Sequence, residues 1–153
     1  MTVARPATAP MLTAVRKDIT LDLALLLVAG AREEARRRGL AMGIAVVDTA
    51  GRLVAAARMD DAQFVAVDLA TDKAFTAAAL RQPTETWAVS TQPGGDDWGL
   101  STTLGGRLVV FAGGLPVRVD GQVVGGLGVS GSAGSVDRAC AVAGLHQAGL
   151  DVD

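Results

Sequence analysis

The segment MGIAVVDTAGRLVAAARM, residues 42–59, contains two apolar runs separated by the turn sequence Asp48-Thr-Ala-Gly51. A short polar turn that exits through glycine between two such runs is typical of a β-hairpin. We therefore predict strands over Met42–Val47 and Arg52–Met59. Because a hairpin joins antiparallel strands, the segment also predicts an antiparallel sheet.

The rest of the chain predicts three more strands, and the last two form a second hairpin. These strands are expected at Arg107–Phe111, at Pro116–Val119 and, after the tight turn Asp120-Gly121, at Gln122–Ser130. Helices are expected from Asp18 or Thr20 to Arg38, from Phe64 to Leu80, from Thr84 to Ser90 and, capped by Ser135, to Ala148. This order predicts an α+β fold in which helices pack on a mainly antiparallel sheet. Residues 18–153 form one predicted domain, and residues 1–17, rich in Ala, Pro and Thr, form a flexible N-terminal arm.

The composition excludes several classes of function. The net charge is -2 and the pI is near 5.3, so the chain has no basic field that would attract nucleic acid. The longest apolar stretch, Leu23–Ala31, is too short to span a membrane. Cys140 is the single cysteine and cannot form an internal disulfide. Since the N-terminus also lacks a secretory signal pattern, we predict a cytoplasmic protein.

Lys73 is an informative single residue, because it lies in the alanine-rich helix predicted at Phe64–Leu80. On that helix it shares a stripe with Leu69, Ala77 and Leu80. A cation on an apolar stripe is costly unless its ammonium reaches water, an acid or a ligand. Two interpretations follow. The side chain snorkels along the surface into solvent, or a desolvated Lys73 lines a pocket as an anchor, a general base or an amine nucleophile.

Other catalytic and metal-binding patterns find little support in the sequence. No HExxH, CxxC, P-loop or GxSxG motif occurs. Haem iron usually takes a histidine, methionine, cysteine or tyrosine as axial ligand, and tyrosine is absent. His146, late in the last helix, is expected at the surface and remains the candidate metal ligand. Cys140 is expected to be a small core residue, and Met59 is a weaker candidate ligand.

Several motifs in order and spacing resemble one known family. They are Ile44–Gly51, Arg58-Met-Asp60, Asp72-Lys-Ala74, Arg81–Thr84, Gln92–Gly95, Phe111–Pro116 and Val124–Gly131. Together they resemble the GlcG/HbpS-like haem-binding family, which includes the C-terminal domain of some corrinoid adenosyltransferases. The resemblance implies a profilin-like fold with a central five-stranded sheet. It also implies a homo-oligomer of dimers that can assemble further, and small-molecule binding, above all of tetrapyrroles.

The chain departs from the family pattern at a few positions. Ala112 stands where members often carry the first of three glycines, and its methyl group would slightly crowd a ligand on that backbone. Ser135 and Val136 replace an acid and a glutamine at the start of the last helix, whereas Asp137 is retained. Trp98 replaces a frequent tyrosine and can stack on a ligand but cannot ligate iron.

The resemblance implies a ligand cleft near the oligomer interface. The predicted ligand-binding residues are Arg58, Met59, Lys73, Arg81, Trp98, Phe111, Gly113 and Gly114. Such a site suits haem or another carboxylated tetrapyrrole or aromatic ligand, whose acids pair with Lys73 and arginine. The alternative is a cofactor-independent enzyme, a cyclase, isomerase or lyase, that uses the same pocket with Lys73 as catalytic base or anchor.

Overall fold

The computed structural model describes residues 10–152 of the chain. Its helices are α1 (Leu21–Arg37), α2 (Ala66–Leu80) and α3 (Gly134–Gln147), and its strands are β1 (Gly43–Val47), β2 (Leu53–Arg58), β3 (Gly114–Val119) and β4 (Gln122–Ser130). Three short 3₁₀ helices lie between α2 and β3, at Thr84–Trp87, Leu100–Thr102 and Leu104–Gly106. The element order confirms the predicted α+β class.

The four strands form one antiparallel sheet in the order β2-β1-β4-β3. Both predicted hairpins are present. Their turns, Asp48–Gly51 and Asp120-Gly121, lie at the same end of the sheet, which we call the turn end. At the opposite end, which we call the open end, β1 and β3 begin and β2 and β4 finish. The strand termini there are Gly43, Arg58, Gly114 and Ser130.

The fifth predicted strand, Arg107–Phe111, is wrong, so the described part of the chain has four strands rather than five. The segment lies on α2 instead of beside β3. The backbone N–H of Val109 donates to Thr76 Oγ1 at 2.9 Å, and Arg107 Nε donates to Asp72 Oδ1 at 2.9 Å. The backbone N–H of Val109, which a β-ladder would use, is thus taken by a side chain of α2, and the Arg107 pair holds the segment on that helix.

Helices cover both faces of the sheet in different ways. α1 and α3 pack together on one face over a core of larger apolar side chains that includes Leu27, Leu127 and Leu145. α2 lies directly on the backbone of the other face. A Cβ atom at Gly126 or Gly128 would overlap the α2 backbone, so only glycine allows this close approach.

The predicted helix ends are confirmed at α1 and wrong at α3. Thr20 Oγ1 accepts a hydrogen bond from the backbone N–H of Leu23, as expected of an N-cap. α3 begins one residue before Ser135, and its N-cap, Ala133, makes no side-chain bond. Asp137 in the first turn instead reaches back to the preceding loop, where its Oδ1 accepts from the backbone N–H of Ser132 at 3.0 Å.

The described part of the N-terminal arm has no regular secondary structure, and the second helix is shorter than predicted. Residues 1–9 of the predicted arm lie outside the described residues, and residues 10–17 form neither helix nor strand. The helix predicted to reach Ser90 is a single 3₁₀ turn that ends at Trp87. Among the described residues, no helix is both long and apolar enough to cross a membrane.

Candidate functional site

Lys73 is fully buried at the open end of the sheet, so the surface interpretation is wrong. Its Nζ donates to Asp137 Oδ2 at 2.7 Å and to the backbone oxygen of Val129 at 3.1 Å. Lys73 comes from α2 and Asp137 from α3, which lie on opposite faces of the sheet. The ion pair therefore joins the two helical layers around the end of β4.

The segment before β3 packs tightly against the Lys73 ammonium. The Phe111 ring lies over Nζ, 4.9 Å from its centroid, and is 51% exposed. Gly113 has a positive φ of +122°, and a Cβ there would lie 2.7 Å from Nζ and 2.6 Å from Val129 O. Only glycine fits this position, both sterically and conformationally. Gly114 is equally constrained, because its Cβ would overlap the backbone of Lys73.

Thr84 fixes this segment from the other side. Its buried hydroxyl donates to the backbone oxygen of Phe111 at 2.6 Å and accepts from the backbone N–H of Gly114 at 3.1 Å. Nearby, Glu85 pairs with Arg138 at 2.6 Å. The position of the Phe111 ring over Lys73 is thus set by buried hydrogen bonds rather than by the ring itself.

Burial lowers the pKa of Lys73 below its ordinary value, because removing water disfavours the ammonium. The hydrogen bond and negative charge of Asp137 act in the opposite direction, and Glu85 adds a smaller effect of the same sign. Desolvation is the larger contribution. Lys73 is therefore a paired ammonium whose proton is held less tightly than that of an exposed lysine.

A groove of about 740 Å³ lies beside the C-terminal part of α1 and the last residues of β2. We call it the arginine groove. Its lining includes five charged side chains and one methionine, namely Arg32, Arg36, Arg58, Asp60, Asp61 and Met59. The backbone N–H of Met59 donates to Met42 O at 3.0 Å, which extends the β1–β2 pairing to the groove. Its size is within the range of small-molecule sites.

The predicted site residues fall into separate places. Lys73, Phe111, Gly113 and Gly114 meet at the buried ion pair, and Arg58 and Met59 meet in the arginine groove. Arg81 does not join either set. It follows Lys73 by eight residues, about 12 Å along the helix axis, and lies towards the turn end.

Trp98 and His146 are exposed and belong to neither set. Trp98 is exposed in the loop between Thr84 and β3, and His146 is exposed in the last turn of α3. Within residues 10–152, no three histidine, cysteine or acidic side chains are grouped as a metal site. Cys140 is fully buried in the core, as predicted.

Three residues of these sites were not predicted. Asp137 is the buried partner of Lys73, and its only sequence signal was that it survives where neighbouring polar residues of the family motif are lost. Arg32 and Arg36 line the arginine groove. Their spacing of four residues is the sequence feature that places them on one helix face.

Comparison with known proteins identifies the family. The family model described as "Haem degrading protein HbpS-like" matches residues 19–146. The chain belongs to the HbpS-like family. Corrinoid adenosyltransferase PduO of Salmonella typhimurium is 36% identical to this HbpS-like chain over 126 residues. That match covers 82% of the chain but only 37% of PduO.

Solved structures of HbpS-like relatives agree with the fold. Protein ORFY of Klebsiella pneumoniae superposes with a TM-score of 0.90 at 32% identity, covering 93% of this chain and 98% of ORFY. A structure described as a PduOC:Heme complex superposes with a TM-score of 0.83 at 31% identity, covering 89% of this chain and 97% of PduOC. The match with PduOC shows that a relative with this fold binds haem.

Proposed function

We propose that this HbpS-like chain binds haem or a related carboxylated tetrapyrrole in the arginine groove. The observation on which this proposal rests is the convergence of Arg32, Arg36, Arg58 and Met59 around one groove of about 740 Å³. The haem complex of PduOC supports the ligand class, because that relative shares the fold along nearly the whole chain. The buried Lys73 pair then supports the fold at the same end of the sheet.

The charges of the groove suit the acid groups of a tetrapyrrole. Guanidinium groups form paired hydrogen bonds with carboxylates and remain charged at every physiological pH. Arg32 and Arg36 approach from α1, and Arg58 approaches from β2. Two acid groups of one ligand can therefore be bound at once, one by the arginines of α1 and the other by Arg58. Asp60 and Asp61 line the same groove and disfavour additional anionic groups nearby.

The groove offers iron a single soft donor. Met59 contributes a thioether, whereas the histidine and cysteine of the chain lie elsewhere and tyrosine is absent. The arginines would hold the acid groups of the ligand, and Met59 would offer a sulfur donor to the iron. When bound, haem would supply iron chemistry that the side chains alone lack. If the arginines that would hold the acid groups provide the main contacts, metal-free protoporphyrin IX should bind nearly as tightly as haemin.

Titration of the purified chain with haemin and with protoporphyrin IX tests the proposal. We expect saturable binding of both, followed by the Soret band and by tryptophan quenching. Arg58→Gln should weaken both by about tenfold, the loss expected for one charge-assisted hydrogen bond. Met59→Leu should change the Soret position with haemin while leaving protoporphyrin affinity within about twofold.

Arg52→Gln is the matched control, because Arg52 is an exposed arginine of the same hairpin at the turn end. It should bind both compounds like the unmodified chain. Absence of saturable binding would overturn the proposal. Equal weakening by Arg58→Gln and Arg52→Gln would overturn the assignment to the arginine groove.

A second candidate is the cofactor-independent enzyme with Lys73 as base or anchor. The observation that favours it is the lowered pKa of Lys73 under a half-exposed Phe111 ring. The test uses the fact that Lys17 and Lys73 are the only lysines. Benzaldehyde and cyanoborohydride should form a reduced imine at both lysines, located by mass spectrometry. Modification at Lys17 without modification at Lys73 would reject an amine that reaches substrates.

The homo-oligomer implied by the family resemblance also remains a proposal. It is supported by three leucines on α1, Leu21, Leu25 and Leu26, which are about half exposed. Leu25→Glu should shift the chain towards monomer in light scattering coupled to size exclusion. An unmodified chain that is already monomeric would contradict the proposal.

A further inference from the structure

A second groove lies at the turn end, and the charged residues that line it are all cations. Its volume is about 510 Å³, and it is formed by residues 14–17, the last turn of α2 and the β3–β4 turn. Its charged lining residues are Arg16, Lys17, Arg81 and Arg118. We call it the cationic groove. Four cations in one groove are notable in a chain whose net charge is -2.

The N-terminal segment that forms one wall is held at three points at its C-terminal end, residues 17–19. Lys17 Nζ pairs with Asp120 Oδ2 at 2.6 Å, which ties the segment to the β3–β4 turn. Asp18 accepts a hydrogen bond from the backbone N–H of Thr49 at 3.0 Å, which ties it to the β1–β2 turn. Ile19 N donates to Val124 O at 3.0 Å. The wall is therefore joined to the domain where residue 17 leads into α1.

Two of the four cations have no partner among the described residues. Arg16 and Arg81 are exposed, and their side chains make no hydrogen bond or ion pair within residues 10–152. The role of Arg118 differs, because its Nη2 donates to Arg81 O at 2.8 Å and so holds the backbone at the end of α2. Arg81 itself has a left-handed backbone with φ of 56°. The two arginines thus line the groove from different segments, Arg16 from the chain before α1 and Arg81 from the end of α2.

We propose that the cationic groove binds a small molecule bearing adjacent phosphate groups. Two planar guanidinium groups that line one groove suit a diphosphate, whose oxygens can accept several charge-assisted hydrogen bonds at once. Lys17 adds a point charge at the rim while it pairs with Asp120. The site is separate from the arginine groove, since the two lie at opposite ends of the sheet.

Calorimetric titration of the full chain with inorganic pyrophosphate at low ionic strength tests this inference. We expect saturable binding that weakens as salt is added, because the site is exposed. Arg16→Gln and Arg81→Gln should each weaken binding by about tenfold. Arg52→Gln, at the same end of the sheet but outside the groove, should leave it unchanged.

Two further outcomes separate the alternatives. Citrate serves as a polycarboxylate of similar charge, and citrate binding tighter than that of pyrophosphate would overturn the phosphate assignment. Absence of saturable pyrophosphate binding, or equal affinity in the Arg81→Gln and unmodified chains, would overturn the site. Haemin titrations of Arg81→Gln should match those of the unmodified chain. Failure of the pyrophosphate proposal would therefore leave the haem proposal untouched, and failure of the haem proposal would leave the pyrophosphate proposal untouched.

Discussion

The open end and the turn end of the sheet differ in how they accommodate positive charge. At the open end, the Lys73 ammonium is fully buried, and Asp137 and Val129 satisfy it. At the turn end, Arg16 and Arg81 are exposed and line the same groove. A buried cation requires a partner, because the lost hydration must be replaced, whereas an exposed cation keeps its water and can exchange it for a ligand. Burial thus separates a structural cation from a binding one.

Removal of the buried cation should have the largest effect on stability. Lys73→Met leaves Asp137 buried without its counter-charge, and we expect the free energy of unfolding to fall by about 3–5 kcal/mol. Urea denaturation followed by tryptophan fluorescence measures this change. Lys17→Met is the matched control, because the Lys17–Asp120 pair is exposed and should contribute less than about 1 kcal/mol.

A double substitution distinguishes the lost pair from a lost side chain. Lys73→Met combined with Asp137→Leu removes both charges, and it should be more stable than Lys73→Met alone. A double variant that is less stable than either single variant would contradict the account of Lys73 as one half of a buried pair.

Replacement of a glycine by alanine should lower the free energy of unfolding for different reasons at the two ends. Gly128→Ala forces a Cβ into the backbone of Ala70 on α2, so we expect a loss of about 3 kcal/mol, at the upper end of overpacking effects. Gly121 in the β3–β4 turn has φ of +74°, and a methyl group there would meet no neighbouring atom within 4 Å. Gly121→Ala should therefore cost only about 1 kcal/mol, from backbone strain. Equal losses in urea denaturation would contradict direct contact between α2 and the sheet.

Most of the fold was predictable, because local patterns determine its hairpins and helices. The polar turns at Asp48–Gly51 and Asp120-Gly121 were identified correctly and set the antiparallel pairing. Arg107–Phe111 was misassigned because a short apolar run suits a strand and a buried loop equally well. Its actual partners, Asp72 and Thr76, lie over thirty residues away on α2.

The candidate sites were less predictable, because they depend on residues that are distant in the chain. The stripe on α2 showed that Lys73 needed a partner, but Asp137 lies 64 residues further on. Spacing within one helix cannot reveal such a contact. Motif resemblance grouped Arg81 with Lys73, whereas the helix places them at different ends of the sheet. The residues were recognised, but their grouping needed the tertiary structure.

The lowered pKa of Lys73, at the open end, predicts that the free energy of unfolding depends on pH. Between the folded-state pKa and the ordinary value of 10.5, the unfolded chain binds more protons than the folded chain. The free energy of unfolding therefore gains a positive slope with pH in that interval, as the desolvated ammonium loses its proton. We expect the difference between the unmodified chain and Lys73→Met to grow as pH is raised towards 10.5. A difference that stays constant over this interval would contradict the lowered pKa.

Removal of a cation at the turn end should have the smallest effect on stability. Arg81→Gln breaks no hydrogen bond or ion pair among the described residues, and it relieves repulsion from the other cations of the groove. We expect the free energy of unfolding to stay within about 0.5 kcal/mol of the unmodified chain. The same substitution should weaken pyrophosphate binding about tenfold. Lys73→Met, in contrast, should mainly lower the free energy of unfolding. A loss of stability as large as that of Lys73→Met would show that Arg81 is a structural cation, and the contrast between the two ends would fail.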